Sequence, residues 1–507
     1  MLPQLRITFE HLPLPDGKIR FPDANPPPEF PWYAVTSKFD LEMYLVTKKI
    51  IADKIAAKGG GETEVPDSPA KVLSRQLKWI CSNCRTAYNA YQHLARFLSP
   101  LLDVNAPVSN AFTKMIELCY EPVVSAKLRS YAESGRPLRI ICLAEAPGTF
   151  PIAIMYWLAN KYPRYVEARS FEYHCTSLEP PATPSGADEE PLGDTYDLIS
   201  ADPKKWTFMD HTSASDTRRM YDKLGKQKCP FVTGDIELSP SRWEASESEL
   251  FRIDLGQFIG ACTLLEDNGM AVLKGFAPGG KSSLGILRLA MGFFDSVIIH
   301  KPRSSRMNNN EVYLILIGFK VDRFEPRCEE LLQLMDGAAA IAAAVATTAA
   351  VSTTAPTAIK ISDTTTVPAS KTASTDTTKT VPAAKADGIE DDYPPYAYYP
   401  SFLPEAAFTK QLSDQFYRYI MSSMYRRIHT DKLAKTCLEA NIDYKGDPYE
   451  MQKGLIRSLR PVTQPYVTEW LRQFPVSRMG KLFYDLTGIS NRPRQYVLAK
   501  KDLASAH

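Results

Sequence analysis

Leu143-Ala144-Glu145-Ala146-Pro147-Gly148-Thr149-Phe150 closes the apolar run RIICLAE and opens a helical pattern. A turn of small residues at the carboxyl end of a central strand is where open α/β sheets take up nucleotide-like ligands. Gly148 and Ala146 let the backbone come close to such a ligand. The turn alone is a weak signal, because strand-to-helix turns often contain Gly and Pro. It is not a Walker loop, and neither is Gly280-Lys281-Ser282, which lacks an earlier glycine at the required spacing and does not directly follow a strand.

Outward from this turn, apolar runs alternate with helical patterns over roughly 106–330. RIICLAE, EYHCTSLE, CPFVTGDI, GMAVLKGF, DSVIIHKP and EVYLILIGFKV are short, rich in β-branched residues and apolar on both faces. Helix-length segments such as SELFRIDLGQFIGACTLLED and SSLGILRLAMGFF separate several of them. This alternation predicts a parallel sheet covered on both faces. The link between the last two runs is too short for a crossover helix, so they are expected to form an antiparallel hairpin.

The flanks differ in character. Residues 1–105 open with the Pro-rich stretch PDANPPPEFPW and then turn helical over 38–55 and 70–98, with GGGETE between. Residues 337–392 are an Ala/Thr/Pro low-complexity stretch with almost no aromatics, which reads as a disordered tether. A long Ala-rich helix from Cys328 to Val345 is the competing reading of its start. Residues 393–507 read as a helical, aromatic-rich domain with 17 Lys/Arg against 10 Asp/Glu. The basic segments MYRRIHTDKLAK, RSLRPVTQPY and NRPRQYVLAKK suit single-stranded RNA, and equally a solvated face on a partner-binding module. YPPYAYYPSF, Tyr393 to Phe402, is expected to dock back on the core.

Across 507 residues the net charge is only +2, so a nucleic-acid site must be a local patch. Nine scattered cysteines argue against a disulfide framework and for a reducing compartment, cytoplasm or nucleus. Cys81-Ser82-Asn83-Cys84 has no second ligand pair at zinc spacing and reads as helix packing; no metal is expected. Neither a signal peptide nor a membrane span is legible, which predicts a soluble protein.

Four further segments, in order, carry a resemblance. Ser109-Asn110-Ala111-Phe112-Thr113-Lys114-Met115-Ile116-Glu117 is similar to an S-R-A-x-x-K-L-x-E helix, with Asn110 where arginine is usual. Phe231-Val232-Thr233-Gly234-Asp235 is similar to a strand that ends in an aspartate. Gly269-Met270-Ala271-Val272-Leu273-Lys274 is similar to a strand that ends in a lysine. Lys301-Pro302-Arg303-Ser304-Ser305-Arg306, followed by Asn309-Asn310-Glu311-Val312-Tyr313, is similar to K-P-x-x-S-R…N-S-E-x-Y. With the E-A-P-G-T-F turn, the segment from Val108 to Val321 resembles the FtsJ-type RNA ribose 2′-O-methyltransferases. Its motif style is that of cap enzymes from eukaryotes and large DNA viruses. The resemblance implies an α/β fold with a Rossmann-like core, a mostly parallel seven-stranded sheet ending in an antiparallel hairpin, and helical N- and C-terminal additions.

It also implies S-adenosylmethionine as cofactor and RNA, specifically a capped mRNA 5′ end, as partner. Capping or transcription partners would bind through the C-terminal domain, and a viral relative would act in the virus factory or virion. An rRNA or tRNA enzyme and a non-catalytic RNA-binding scaffold are the rival readings. The implied tetrad is Lys114, Asp235, Lys274 and Glu311. Glu145, Ala146, Pro147, Gly148, Thr149 and Phe150 would cradle the methionine part of the cofactor. Glu179 would take its ribose, and Asp210 its adenine, with Asp197 as competitor. Lys301, Arg303 and Arg306 would grip phosphates, or form a solvated basic loop. A cap site needs stacked aromatics, for which Trp32, Tyr33, Tyr44 and Trp79 are available.

Methyl transfer from a sulfonium is an in-line displacement, helped mostly by holding donor and acceptor in line. A ribose hydroxyl is a poor nucleophile and needs a base or a steering charge. Lys274 is the candidate base, since a neighbouring cation and partial burial lower a lysine pKa. Alternatively it stays charged and stabilises developing alkoxide. Asp235 and Glu311 would orient the two ammonium groups, and the four would titrate as one cluster.

Overall fold

The run Leu138–Leu143 forms β2, the strand on which the rest of the sheet is organised. It is buried along almost its whole length and has parallel neighbours on both sides, β3 (Phe171–Ser177) and β5 (Cys229–Gly234). A strand with both faces covered needs apolar residues on both faces, which is why RIICL does not alternate. The computed structural model describes residues 5–16, 19–20, 94, 110–146, 148–168, 170–178, 203–224, 228–236, 247–276, 281–305, 311–353, 402–403, 407–408, 412, 415 and 467–475.

Among these residues one sheet of eight strands has the order β1-β7-β8-β6-β5-β2-β3-β4. Besides those named, β1 is Leu5–Glu10, β4 Trp206–Phe208, β6 Leu265–Phe276, β7 Phe294–Lys301 and β8 Glu311–Phe319. Pairings from β4 through β6 are parallel, while β6–β8, β8–β7 and β7–β1 are antiparallel. Strand β8 therefore returns from β7 into the slot beside β6, the hairpin expected from the short link. The fold is the Rossmann-like mixed sheet that the sequence implied.

Helices cover both faces. On one lie α1 (Asn110–Cys119), α2 (Pro122–Ser134), α3 (Thr149–Lys161) and the short α4 (Pro163–Glu167). On the other lie α5 (Ala214–Lys223), α6 (Glu247–Leu264), α7 (Lys281–Phe293), the turn α8 (Val321–Phe324) and α9 (Cys328–Thr353). Alternation along each strand divides the core between them: Met270 and Val272 of β6 pack with the first group, Ala271 and Leu273 with the second.

Three features differ from the sequence expectation. β1 lies in the segment read as irregular, and it makes the sheet eight-stranded by pairing with β7 from Leu5↔Lys301 to Glu10↔Ser296. Helix α9 enters the segment from 337 assigned to the tether and runs to Thr353, so the Ala-rich helix is the reading that holds. Alanine loses no side-chain entropy in a helix, so a composition too small to build a core still winds well. Thirdly, residues from well before and well after the α/β core, 12–13 and 407, are both stitched to α7. Arg288 is buried and donates to the carbonyl oxygens of Leu12 (2.6 Å), Pro13 and Ala407 (2.7 Å).

The Phe402 end of the expected docking strip is buried, with its ring 6.0 Å from that of Phe251 on α6. The rest of that strip, nearly all of the helical expectation for 38–55 and 70–98, the Cys81/Cys84 pair and the candidate cap aromatics lie outside the described residues. Six cysteines are described, all free thiols. Among the described residues no helix is long and apolar enough to cross a membrane.

Candidate active site

Strand register explains why four charged residues distant in sequence meet. Gly234 of β5 is level with Leu273 of β6, Lys274 with Tyr313 of β8, and Phe276 with Glu311. The carboxyl ends of β5 and β6 thus share one edge with the amino end of β8, which runs the other way. Period-two alternation turns Lys274, Tyr313 and Glu311 to the face covered by α1, which carries Lys114.

There Lys114 Nζ lies 2.7 Å from Glu311 Oε1 and 2.9 Å from Oε2. Lys274 Nζ lies 3.5 Å from Asp235 Oδ1 and 3.9 Å from Glu311 Oε2. Only 2% of the Lys274 side chain is exposed, so its charge is bearable only among such partners. Burial pushes the Glu311 carboxyl up, but Lys114, Lys274 and Lys301 around it outweigh this and hold it well below the usual carboxylate range. Glu311 is thus the anion around which the ammonium groups gather.

Four neighbours fix this cluster, and sequence reasoning gave none of them a role. The Tyr313 hydroxyl donates to Asp235 Oδ1 at 3.1 Å, and the Ser305 hydroxyl to Glu311 Oε1 at 2.7 Å. Gln257 of α6, fully buried, donates to the Lys274 carbonyl oxygen at 2.6 Å and accepts from the Ile236 amide at 3.3 Å. It clamps the ends of β5 and β6, and a Cβ at Gly234 would overlap the Gln257 side chain, so a larger residue there would push Gln257 out of this clamp. Glu117, one helical turn after Lys114, accepts from the backbone N–H groups of Arg303 (2.6 Å) and Ser304 (2.8 Å). A polar residue inside an apolar helix pattern was the available signal for Gln257 and Glu117.

At the adjacent end of β2 the turn is held in unusual backbone geometry. Ala144 has φ +51° and Gly148 φ +95°. The Ala144 amide donates to Thr176 Oγ1 at 3.2 Å, and that hydroxyl is also 2.7 Å from His211 Nε2. The Phe150 amide donates to Glu145 Oε1 at 2.6 Å, while Glu145 Oε2 is buried with no hydrogen-bond partner among the described residues. Burial, then the nearby Cys142 and Asp235, push this carboxyl well up, against the Phe150 and Thr149 amides. A buried carboxylate oxygen without a partner fits a ligand that brings a positive charge. Ala146 is half-buried, and Gly148, Thr149 and the Phe150 ring are buried. Pro147 lies outside the described residues.

The other expected contacts fare differently. Asp210 is exposed just beyond β4, and its Oδ1 accepts from the Thr212 amide and hydroxyl, both at 2.8 Å. Glu179, Asp197 and Arg306 lie outside the described residues. Lys301 is a correction: it is not a solvent-facing phosphate grip but a buried side chain whose ammonium donates to the Glu311 carbonyl oxygen at 2.8 Å. It is buried because helices cover both faces of the sheet, and alternation along β7 puts it on the face of Val297 and Ile299. Arg303 is half-buried, and its Nη1 has no hydrogen-bond partner among the described residues.

The profile of the family described as FtsJ-like methyltransferase matches residues 190–319. The chain carries an FtsJ-like methyltransferase domain. The matched span holds Asp235, Lys274 and Glu311, and the geometry adds Lys114 and the Glu145 turn from before it. The chain is 25% identical over 224 residues to "Uncharacterized protein L511" of Acanthamoeba polyphaga mimivirus, covering 42% of this chain and 26% of that one. It is 24% identical over 243 residues to "Probable methyltransferase EP424R" of African swine fever virus (isolate Pig/Kenya/KEN-50/1950), covering 44% and 52%. It is 43% identical over 68 residues to "Cap-specific mRNA (nucleoside-2'-O-)-methyltransferase 1" of Trypanosoma brucei brucei (strain 927/4 GUTat10.1), covering 13% and 18%. The chain thus spans about a quarter of the length of the first relative and about half that of the second. For an FtsJ-like domain the methyl donor is S-adenosylmethionine, and the fit to a cationic ligand at Glu145 agrees with it.

Proposed function

We propose that the chain methylates a ribose 2′-hydroxyl at the 5′ cap of mRNA, with Lys114, Asp235, Lys274 and Glu311 as the reacting cluster. The observation that carries this reading is the buried Lys274 ammonium between Asp235 and Glu311, with Lys114 on the far side of Glu311. S-adenosylmethionine, when bound, supplies an electrophilic methyl on a sulfonium. Glu145 Oε2 would pair with the cationic amino-acid portion of the donor, and Gly148 leaves room for close backbone approach. The hydroxyl must lose one proton as its oxygen takes the methyl. Acceptance of that proton requires Lys274 as the neutral amine, its own ammonium proton having first passed to solvent. Lys274 is the lysine assigned to accept the hydroxyl proton. Arg303 is half-buried, with a buried Nη1 that has no hydrogen-bond partner among the described residues, and its guanidinium would hold a flanking phosphate.

The cap assignment is supported by the E-A-P-G-T-F turn and by the 68-residue likeness to the trypanosomal enzyme. The test is methyl incorporation into a short capped RNA and an uncapped copy of it. Methylation of the capped RNA alone is expected. Equal methylation of both would move the substrate to rRNA or tRNA, and donor binding without transfer to any RNA would leave a scaffold.

A further inference from the structure

The described residues 467–475 belong to the basic C-terminal region, yet they are packed against the α1 and α3 side of the catalytic domain. Residues 467–473 are helical, and Val467, Trp470 and Phe474 are buried there. The Tyr120 hydroxyl, just past α1, donates to the Pro475 carbonyl oxygen at 3.0 Å, and its ring lies 5.6 Å from that of Phe474. At the centre, Trp470 is fully buried and its indole N–H donates to Glu117 Oε1 at 2.8 Å. That same carboxyl receives the amides of Arg303 and Ser304.

Glu117 is thus a junction of three donors, one from the C-terminal helix and two from the turn between β7 and β8. Burial raises its pKa, and the bonds from Ser304, Trp470 and Arg303 oppose that rise. The turn it holds carries Arg303, and Ser305 next to it reaches Glu311. Inside the turn the Ser305 amide is closed onto the Pro302 carbonyl at 3.1 Å, so the turn keeps its own shape and Glu117 sets how it sits. Glu469, on the same helical turn as Trp470, lies within electrostatic reach of Arg303.

We infer that Trp470 is a positioning residue for the nucleic-acid substrate: acting through Glu117, it fixes the 302–305 turn and so aims Arg303 at the RNA backbone. The C-terminal region would then complete the substrate side of the methyltransferase domain instead of serving only as a separate tethered module. The kinetic consequence rests on the RNA methylation proposed above, but the structural consequence does not.

The test uses the full chain with Trp470→Phe, which keeps an aromatic ring and removes the N–H, and with Glu117→Gln. Amide hydrogen exchange at Arg303 and Ser304 should quicken by about tenfold in Trp470→Phe, the size of one lost bond to a charged group. Exchange in β5 and β6 should stay as in the parent chain. With RNA, the KM for RNA should rise by about tenfold while kcat and S-adenosylmethionine affinity stay within about twofold. The double variant should be no worse than Glu117→Gln alone, since both act through one carboxyl. Unchanged exchange at 303–304 in Trp470→Phe would overturn the inference even if methylation is confirmed. So would losses that multiply in the double variant. If the chain methylates no RNA, the exchange result alone decides.

Discussion

At the scale of single residues, Lys274 separates two chemistries. Lys274→Arg keeps a cation that cannot lose its proton at working pH. If Lys274 takes the hydroxyl proton, the variant should lose about 10²- to 10⁴-fold in kcat, as Lys274→Ala should, with donor binding intact in both. Substantial activity in Lys274→Arg but not in Lys274→Ala would show a steering charge instead. Histidines set a second prediction. Burial lowers the pKa of His211 and of His300 to about 4 from the ordinary 6.5, so the folded state binds their protons less readily than the unfolded chain. Their stabilisation is complete above about pH 6.5 and is lost as pH falls toward 4, by about 2 kcal/mol each at pH 5. Urea unfolding at pH 7 and pH 5 measures it, and stability unchanged between these values would refute it. The meeting of Lys114, Asp235, Lys274 and Glu311 could be anticipated because each sits in a recognisable local string; their joint role in the reaction is the proposal. The burial of Lys301 was not legible because nothing in K-P-R-S-S-R tells which of its three basic residues faces in, and it donates to a backbone carbonyl that no sequence pattern displays.

Elements bring the site to its geometry through their ends. Gln257 of α6 joins the end of β6 to the residue after Asp235, so it couples a helix on one face to chemistry at the sheet edge. Gln257→Leu keeps the volume, strands both backbone partners, and should cost about 1–3 kcal/mol of stability. It should also lower kcat more than donor affinity, measured by steady-state kinetics beside calorimetric donor titration; an equal loss in both would argue against the coupling. The six expected strands formed because their apolar runs and flanking turns agreed. β1 was missed although Leu5-Arg6-Ile7-Thr8-Phe9-Glu10 alternates cleanly, because the prolines after it drew the whole segment into an irregular reading. The three-residue β4 carries too little pattern to be seen at all. At α9 helix propensity and low complexity pointed in opposite directions, and propensity decided.

Across the whole molecule, two segments nearly 400 residues apart converge on α7. Arg288 ties residues 12–13 and 407 to it, while Phe402 and Leu403 fill the core beside it. Proteolytic cutting between residues 353 and 402 should therefore leave two fragments that elute together from a sizing column. Arg288→Met should loosen both segments at once and let the cut halves part; halves that separate freely without that change would refute the docking. This long-range stitching was beyond the reach of sequence, which supplies no rule pairing one buried arginine with three carbonyls far away in the chain. The first strand carries a further consequence. β1 pairs along β7 from Lys301 back to Ser296 and is the outermost strand on that side among the described residues. Deleting residues 1–11 would bare a row of backbone donors and acceptors that any extended chain can match. The shortened protein should self-associate in a concentration-dependent way, visible by light scattering, and a synthetic peptide of residues 1–16 added in trans should suppress it. In the intact chain the outermost strand is β1 instead, only six residues long and carrying the exposed charges Arg6 and Glu10, which suit an edge poorly to pairing with another chain.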